Sequence, residues 1–127
     1  MTVEHIAGAN VEGLPMSEAV RAGDFVFLSG LAGLGPDGAI ISGGIAAETD
    51  RIMLEAKDIL QRSGLGLADI VQVKAHLRRA ALLNEFNTAY SRYFPQDKPA
   101  RSVSLTDFVH GGSVELEIVA FGNKVTP

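Results

Sequence analysis

An arginine in an extended run near the end of the chain is the first candidate for chemistry. Residues 101–105 alternate with a period of two, so Arg101, Val103 and Leu105 share one face of a predicted strand. Burying a charge without a partner is costly, so we expect the guanidinium to have an anionic partner. Its planar fork fits a carboxylate, which either a ligand or the protein itself supplies.

A glutamate in the next extended run is the second candidate. After a glycine-broken turn, residues 114–118 alternate, and the polar positions Glu115 and Glu117 share one face. An antiparallel pairing of the two runs would place Arg101 near Glu115. Two interpretations are open: Arg101 ties two strands together through one of these glutamates, or it binds a ligand while Glu115 acts as an acid or base.

Other kinds of catalytic site find less support in the sequence. The histidines His5, His76 and His110 have no recognisable metal-ligand spacing, so we predict no metal site. The chain has no cysteine, which excludes a disulfide, a thiolate zinc site and a cysteine nucleophile. Ser29, Ser102 or Ser104 could form a hydrolytic triad with a histidine and Asp107, but no nucleophile-elbow pattern surrounds any of these serines, and this disfavours a serine hydrolase.

Length and composition predict one globular domain over residues 1–127. With 46% hydrophobic and 20% charged residues the chain is too apolar for a disordered polymer, and no apolar run reaches the ~20 residues that cross a bilayer. We therefore expect a cytoplasmic protein without membrane contact. A net charge of −4 leaves no electrostatic footprint for nucleic acid.

The hydrophobic periodicity predicts strands and helices in the order strands, helix, strand, helix, strands. This order is typical of an α+β domain whose helices pack on one face of a mixed sheet. A turn at Gly23-Asp24 joins the second and third strands in a hairpin, and a glycine-rich loop with a small hairpin follows. The predicted strands are 2–6, 17–20, 25–30 (buried on both faces), 70–77, 101–105 and 114–119, and the predicted helices are 45–62 and 82–94.

Six short elements occur together in a specific order and spacing. They are Gly23-Asp24 before Val26-Phe27-Leu28-Ser29-Gly30, Pro36-Asp37-Gly38, Gly64, Asn87 with Tyr90 and Phe94, Pro99-Ala100-Arg101-Ser102, and Val114-Glu115-Leu116-Glu117. None of them would suffice alone. Together they make the chain resemble the RidA family, also called YjgF or L-PSP, over nearly its full length.

The resemblance implies a chorismate-mutase-like α+β fold that assembles as a homotrimer, with ligand clefts between the subunits. It also implies hydrolysis of reactive enamines and imines to ketoacids and ammonia, without a metal or organic cofactor. In the family's motif, the arginine matching Arg101 binds the substrate carboxylate, and the glutamate matching Glu115 handles water. Ser29, Gly30 and Asn87 match positions that line or support the cleft.

Three positions depart from the family's pattern. Met16 stands where the family's deaminases commonly have tyrosine, Leu31 stands where glutamine follows Ser-Gly, and Val103 stands where cysteine is frequent. Each change removes a polar group from the expected wall of the cleft, because a thioether or an alkyl group donates no hydrogen bond. The departures bear on the range of substrates more than on the fold.

The leading hypothesis from the sequence is a cofactor-independent deaminase of small 2-imino or 2-enamino acids. A second hypothesis is a non-catalytic protein of the same fold that binds a carboxylate metabolite at Arg101. A third is an endoribonuclease, the activity for which some family members are named. Two features of the sequence weigh against it: the net charge is negative, and no run of basic residues is interleaved with aromatic residues.

Overall fold

The computed structural model describes residues 2–123 as one mixed sheet with two α-helices. Single-turn 3₁₀ helices precede β2, β5 and α2. The strands are β1 Val3–Ile6, β2 Ala19–Ala22, β3 Phe25–Leu28, β4 Leu31–Ala32, β5 Ile70–Leu77, β6 Ala100–Leu105 and β7 Val114–Phe121, and the helices are α1 Gly44–Arg62 and α2 Leu83–Ser91.

The sheet has the strand order β1-β2-β3-β7-β5-β6, with the short β4 also paired to β7. β5 and β6 run parallel and are joined through α2, whereas β7 is antiparallel to both β3 and β5. The predicted pairing of the Arg101 strand with the Glu115 strand is therefore wrong, because β5 lies between them. A parallel strand needs a crossover connection, and the segment containing α2 supplies one.

One face of the sheet forms the core under both helices. Val114, Leu116 and Ile118 of β7 point into this face, as their alternation predicts, and they are buried. The residues between them, including Glu115 and Glu117, point to the opposite face, which no helix covers in the described chain. We call that second side the open face.

Most of the predicted elements agree with the structure. β2 begins two residues later than expected, β3 ends at Leu28 rather than at residue 30, and β4 was not predicted. Two further predictions are wrong. β3 was expected to be buried on both faces, yet Phe25 and Phe27 are 43% and 45% exposed on the open face. The second helix was expected to reach residue 94 but ends at Ser91, where a turn leads to Pro95. The predictions for α1 and β5 are confirmed to within one residue, and the fold class is confirmed as α+β.

No helix within residues 2–123 is long and apolar enough to cross a membrane. The cytoplasmic location stays a prediction.

Candidate active site

Five of the predicted site residues line one cavity of about 510 Å³ beside β4. Its walls come from the segment before β2, the β3–β4 connection with β4, the glycine-rich loop, α1, and the turn before β7 with the start of that strand. We call this cavity the Glu115 half-site, and its predicted members are Met16, Ser29, Gly30, Leu31 and Glu115.

Glu115 is held against the backbone of Gly30. A β-carbon at residue 30 would lie only 2.8 Å from Glu115 Oε2 and 3.0 Å from its Cδ, so a side chain there would displace the carboxylate. The glycine is needed for this close approach. On the other side, Glu115 Oε1 lies 3.4 Å from Nε2 of His110.

Ser29 is positioned by the segment that immediately precedes β2. Its hydroxyl donates to the Ser17 carbonyl at 2.6 Å, and its amide donates to the Glu18 carbonyl at 3.0 Å. The donor of the hydroxyl is therefore used, and its oxygen stays available as an acceptor. Met16 is 45% exposed, so its thioether forms an accessible apolar part of the wall.

A second group of predicted residues meets where β6 lies beside α2. Arg101 Nη1 donates to Asn87 Oδ1 at 2.7 Å, and the guanidinium carbon lies over the rings of Phe86 and Tyr90, at 5.7 and 5.1 Å from their centroids. Val103 follows two residues later on the same face of β6 and is exposed. We call Asn87, Arg101 and Val103 the Arg101 half-site.

Arg101 differs from its predicted environment, because β6 is an edge strand and the arginine is exposed rather than partly buried. Within residues 2–123 it forms no ion pair, and neither Glu115 nor Glu117 is its partner. Glu117 instead hydrogen-bonds His76, whose other ring nitrogen contacts Ser104 Oγ at 2.7 Å. The charged fork of Arg101 is thus held in place by an amide and two rings, with donors left for an anion.

Tyr90 supplies a neutral surface under the guanidinium. Burial raises the pKa of Tyr90 to about 12, against a smaller lowering by Arg101. Its hydroxyl is buried and has no hydrogen-bond partner in the described chain. At neutral pH the ring therefore carries no charge that would neutralise Arg101, and the attraction is of the cation–π kind.

The two half-sites lie on opposite faces of the sheet in one copy of the chain. Arg101 is in register with Val73, and Glu115 is in register with His76 three residues further along β5. Two strand spacings of about 4.8 Å and three residues of about 3.3 Å separate their backbones by roughly 14 Å. The structure thus brings the eight predicted residues into two groups and does not bring those groups together.

Sequence reasoning missed His110, which was weighed only as a metal ligand. It lines the same cavity as Glu115 from a turn with Gly111 and Gly112. The sequence feature that could have indicated it is a histidine in a glycine-rich turn, five residues before Glu115. The other charged residues of this wall that the motifs did not indicate are Glu18, Arg51 and Glu55.

Metal binding finds no support in the part of the chain that the structure describes. Residues 2–123 contain no group of three or more histidine, aspartate and glutamate side chains placed to hold an ion. The absence of a metal requirement remains a prediction for the activity assays.

Comparisons with known proteins agree with the fold and the motifs. Residues 12–122 match the family model described as Endoribonuclease L-PSP. A RutC family protein of Pyrococcus abyssi is 33% identical over 109 residues, which cover 84% of this chain and 86% of that protein. The human 2-iminobutanoate/2-iminopropanoate deaminase is 31% identical over 117 residues, covering 88% and 83%.

A solved structure of similar shape supports the same assignment. The crystal structure of the yeast protein YEO7 has a TM-score of 0.87 and 28% identity to this chain, covering 94% of it and 98% of the yeast chain. Because the family model and relatives more than 30% identical both span most of the sequence, the chain belongs to the L-PSP family, also called the RidA or YjgF family.

Proposed function

We propose that the protein is a cofactor-independent deaminase that hydrolyses small 2-imino or 2-enamino acids to 2-ketoacids and ammonia. Two relatives support this reaction class by name, the human 2-iminobutanoate/2-iminopropanoate deaminase and the Reactive Intermediate Deaminase A of Arabidopsis thaliana. The human protein is 31% identical and the plant protein 32% identical to this chain.

The observation that carries the proposal is the division of the site into two incomplete halves. Within residues 2–123, Arg101 forms no ion pair and keeps donors for a carboxylate, while the Glu115 cavity has a carboxylate but its one guanidinium, that of Arg51, already pairs with Glu55. A small imino acid needs both, since its carboxylate and its C=N carbon are adjacent. We infer that the Arg101 half-site of one copy closes the Glu115 half-site of another, as in a homotrimer with clefts between subunits.

The Arg101 half-site would orient the substrate. With Nη1 already bonded to Asn87, the remaining N–H groups of the guanidinium are free to form two charge-assisted bonds with a carboxylate. The rings of Phe86 and Tyr90 hold the plane of the fork, so less side-chain freedom is lost on binding. This arrangement fixes the position of the neighbouring C=N carbon.

Glu115 would act on water. In the substrate iminium, a bond forms between the water oxygen and C2 while Glu115 accepts a water proton. A proton from Glu115 then reaches the nitrogen of the resulting carbinolamine, and the C–N bond breaks as the ketone C=O bond forms. The remaining hydroxyl proton passes through Glu115 to the departing ammonia, so the nitrogen leaves as ammonium and Glu115 is again a carboxylate. The products are a 2-ketoacid and ammonium, and no oxidant or metal takes part.

The cavity wall favours substrates with apolar side chains. Leu14, Met16 and Leu31 line it, and the first two are more than 40% exposed towards it or solvent. An apolar wall leaves a substrate hydroxyl unpaired, which costs binding free energy. We therefore propose that imines derived from leucine or methionine are better substrates than the imine derived from serine.

The charges of the cavity disfavour the endoribonuclease alternative. Four carboxylates, those of Glu18, Asp37, Glu55 and Glu115, face the space against one guanidinium, that of Arg51. Binding of single-stranded RNA depends on a positively charged groove with aromatic stacking platforms. Because the guanidinium of Arg51 already pairs with Glu55, the described lining of this cavity offers a phosphate backbone no free cation.

The proposal is tested with imines generated in place by an amino-acid oxidase. The wild-type protein should accelerate ketoacid release above the spontaneous rate, and more for leucine and methionine imines than for the serine imine. Glu115→Gln should lower kcat by roughly a hundredfold or more with little change in KM, because it keeps the shape but loses the proton acceptor. Spontaneous rates throughout, combined with tight binding of a 2-ketoacid, would favour a non-catalytic metabolite-binding protein.

A further inference from the structure

His110 presents one tautomer to the cavity. Its Nδ1 accepts a hydrogen bond from the Gly112 amide at 2.9 Å, so in the neutral ring the proton is on Nε2. Gly112 is suited to this contact, because a β-carbon there would lie 2.9 Å from His110 Nδ1 and 2.8 Å from Glu48 Oε1. The imidazole donor therefore points away from the turn, towards Glu115.

The ring and its turn are anchored from two sides. The imidazole stacks on Phe108 with ring centroids 4.7 Å apart and an angle of 12° between the planes. Glu48, a buried residue of α1, accepts a hydrogen bond from the Ser113 amide at 2.8 Å. The position of His110 is thus set by the first helix as well as by its own turn, as expected for a group that must be held precisely.

The Nε2 atom is buried and makes no hydrogen bond within residues 2–123. It lies 3.4 Å from Glu115 Oε1, a few tenths of an ångström beyond a good hydrogen bond to a charged acceptor. A buried donor without a partner is unfavourable, and catalytic hydrogen bonds that are long in the free enzyme often shorten in the substrate complex.

We propose that His110 is a positioning residue for Glu115, an inference that rests on the proposed deaminase function. The His110 Nε2–H donates to Glu115 Oε1 when substrate fills the cleft. Glu115 Oε2, packed against Gly30, is then the oxygen that accepts the proton from water. His110 acts through the carboxylate, which it fixes in one rotamer, and need not touch the substrate.

Two variants test the roles of the two ring nitrogens of His110 separately. His110→Asn keeps an acceptor near Nδ1 for the Gly112 amide but cannot reach Glu115, whereas the longer His110→Gln places an amide donor near Nε2. We expect His110→Asn to lower kcat by about ten- to a hundredfold, because it loses a hydrogen bond to a charged group. Its KM should stay within about twofold of the wild-type value. His110→Gln should recover most of that loss. The matched control His5→Asn, at an exposed position of β1, should leave both constants unchanged.

A spectroscopic signal tests the pair independently of activity. In a ¹⁵N-histidine spectrum at mildly alkaline pH, we expect His110 to show the Nε2–H tautomer, with a ring proton resonance that moves upfield in Glu115→Gln. If the wild type has no deaminase activity, the proposed function fails, while this spectrum still decides whether His110 and Glu115 are paired.

Three outcomes would overturn the positioning role. The first is wild-type kcat in His110→Asn. The second is an equal loss of kcat in the Asn and Gln variants together with a lower Tm in both, which indicates a structural role only. The third is an Nε2–H resonance that does not respond to Glu115→Gln.

Discussion

Arg101 and Glu115 project from opposite faces of one sheet, and strand β5 separates the strands that carry them. The arginine meets Asn87 and Tyr90 on the side of α2, whereas the glutamate meets Gly30 and the cavity on the other side. One small substrate cannot bridge roughly 14 Å of backbone separation across the sheet. A site that uses both side chains has to be assembled from two copies of the chain.

The proposed bidentate role of Arg101 predicts that Arg101→Lys fails as badly as Arg101→Ala. An ammonium group is a point charge that can neither form two parallel bonds to a carboxylate nor stack flat on Tyr90. We expect kcat/KM to fall roughly thirty- to several-thousand-fold in both variants. The fold should survive, because Arg101 is exposed on an edge strand.

The control for this prediction is Arg92→Lys, at an exposed arginine that pairs with Asp50 at 3.4 Å. This variant should keep wild-type kcat/KM. Full activity in Arg101→Ala, measured on protein with an unchanged oligomeric state, would reject the carboxylate clamp.

Exposed aromatic side chains on the open face lead us to expect self-association. Phe25, Phe27 and Phe121 form a cluster there, with centroids 4.9 Å apart for Phe25 and Phe121, and each is more than 40% exposed. Exposed aromatic clusters of this kind mark interaction surfaces. We expect light scattering at micromolar concentration to report a trimer.

Phe27→Ser should weaken that trimer. Uncovering one phenylalanine costs about 1.5–3 kcal/mol for each copy, so the concentration at which the trimer dissociates should rise about tenfold or more. Leu54→Ser is the matched control, since Leu54 is 60% exposed on α1, away from the open face. A wild-type monomer, or equal effects of both variants, would count against this interface.

The two tyrosines predict a loss of stability in strong alkali. Burial raises the pKa of Tyr90 from 10.0 to about 12, and burial together with the hydrogen bond to Asp50 raises that of Tyr93 to about 12. Because the folded state holds these protons more tightly than the unfolded chain, their contribution to stability is complete below pH 10 and is lost between pH 10 and 12.

An absorbance titration of the phenolate measures this directly. The midpoint should lie near 12 for the folded protein and near 10 in denaturant. A midpoint near 10 in the folded state would show that the two rings are solvated rather than buried or hydrogen-bonded.

The sequence predicted which face each residue occupies better than it predicted which strands are neighbours. The alternation at Glu115 and at Arg101 was sufficient to assign faces, because a side chain's face depends only on local backbone geometry. The partner of a strand depends on hydrogen bonds to residues far along the chain, and these leave no period in the sequence. The prediction that the Arg101 strand pairs with the Glu115 strand failed for this reason.

The family motifs predicted most of the residues that line the cavity, but they did not indicate His110. Met16, Ser29 and Gly30 were expected at the cleft and line the cavity with Glu115. His110 lies in a turn where no periodicity constrains a side chain, so only the three-dimensional contact with the carboxylate indicates a role. Phe25 and Phe27 were expected in a core because residue type alone does not distinguish a buried face of a sheet from an exposed one.

The central claim is that each active site combines the Arg101 half-site of one copy with the Glu115 half-site of another. It is tested most directly by mixing two inactive variants, Arg101→Ala and Glu115→Gln, and allowing subunits to exchange. In an equal, random mixture, half of the subunits keep Arg101 and the other half keep Glu115. About one quarter of the clefts would therefore combine an intact Arg101 half-site with an intact Glu115 half-site. The expected result is therefore recovery of about a quarter of the wild-type deaminase rate in the mixture, with neither variant active alone. A mixture that exchanges subunits, as shown by mass, and stays as inactive as its components would contradict the claim.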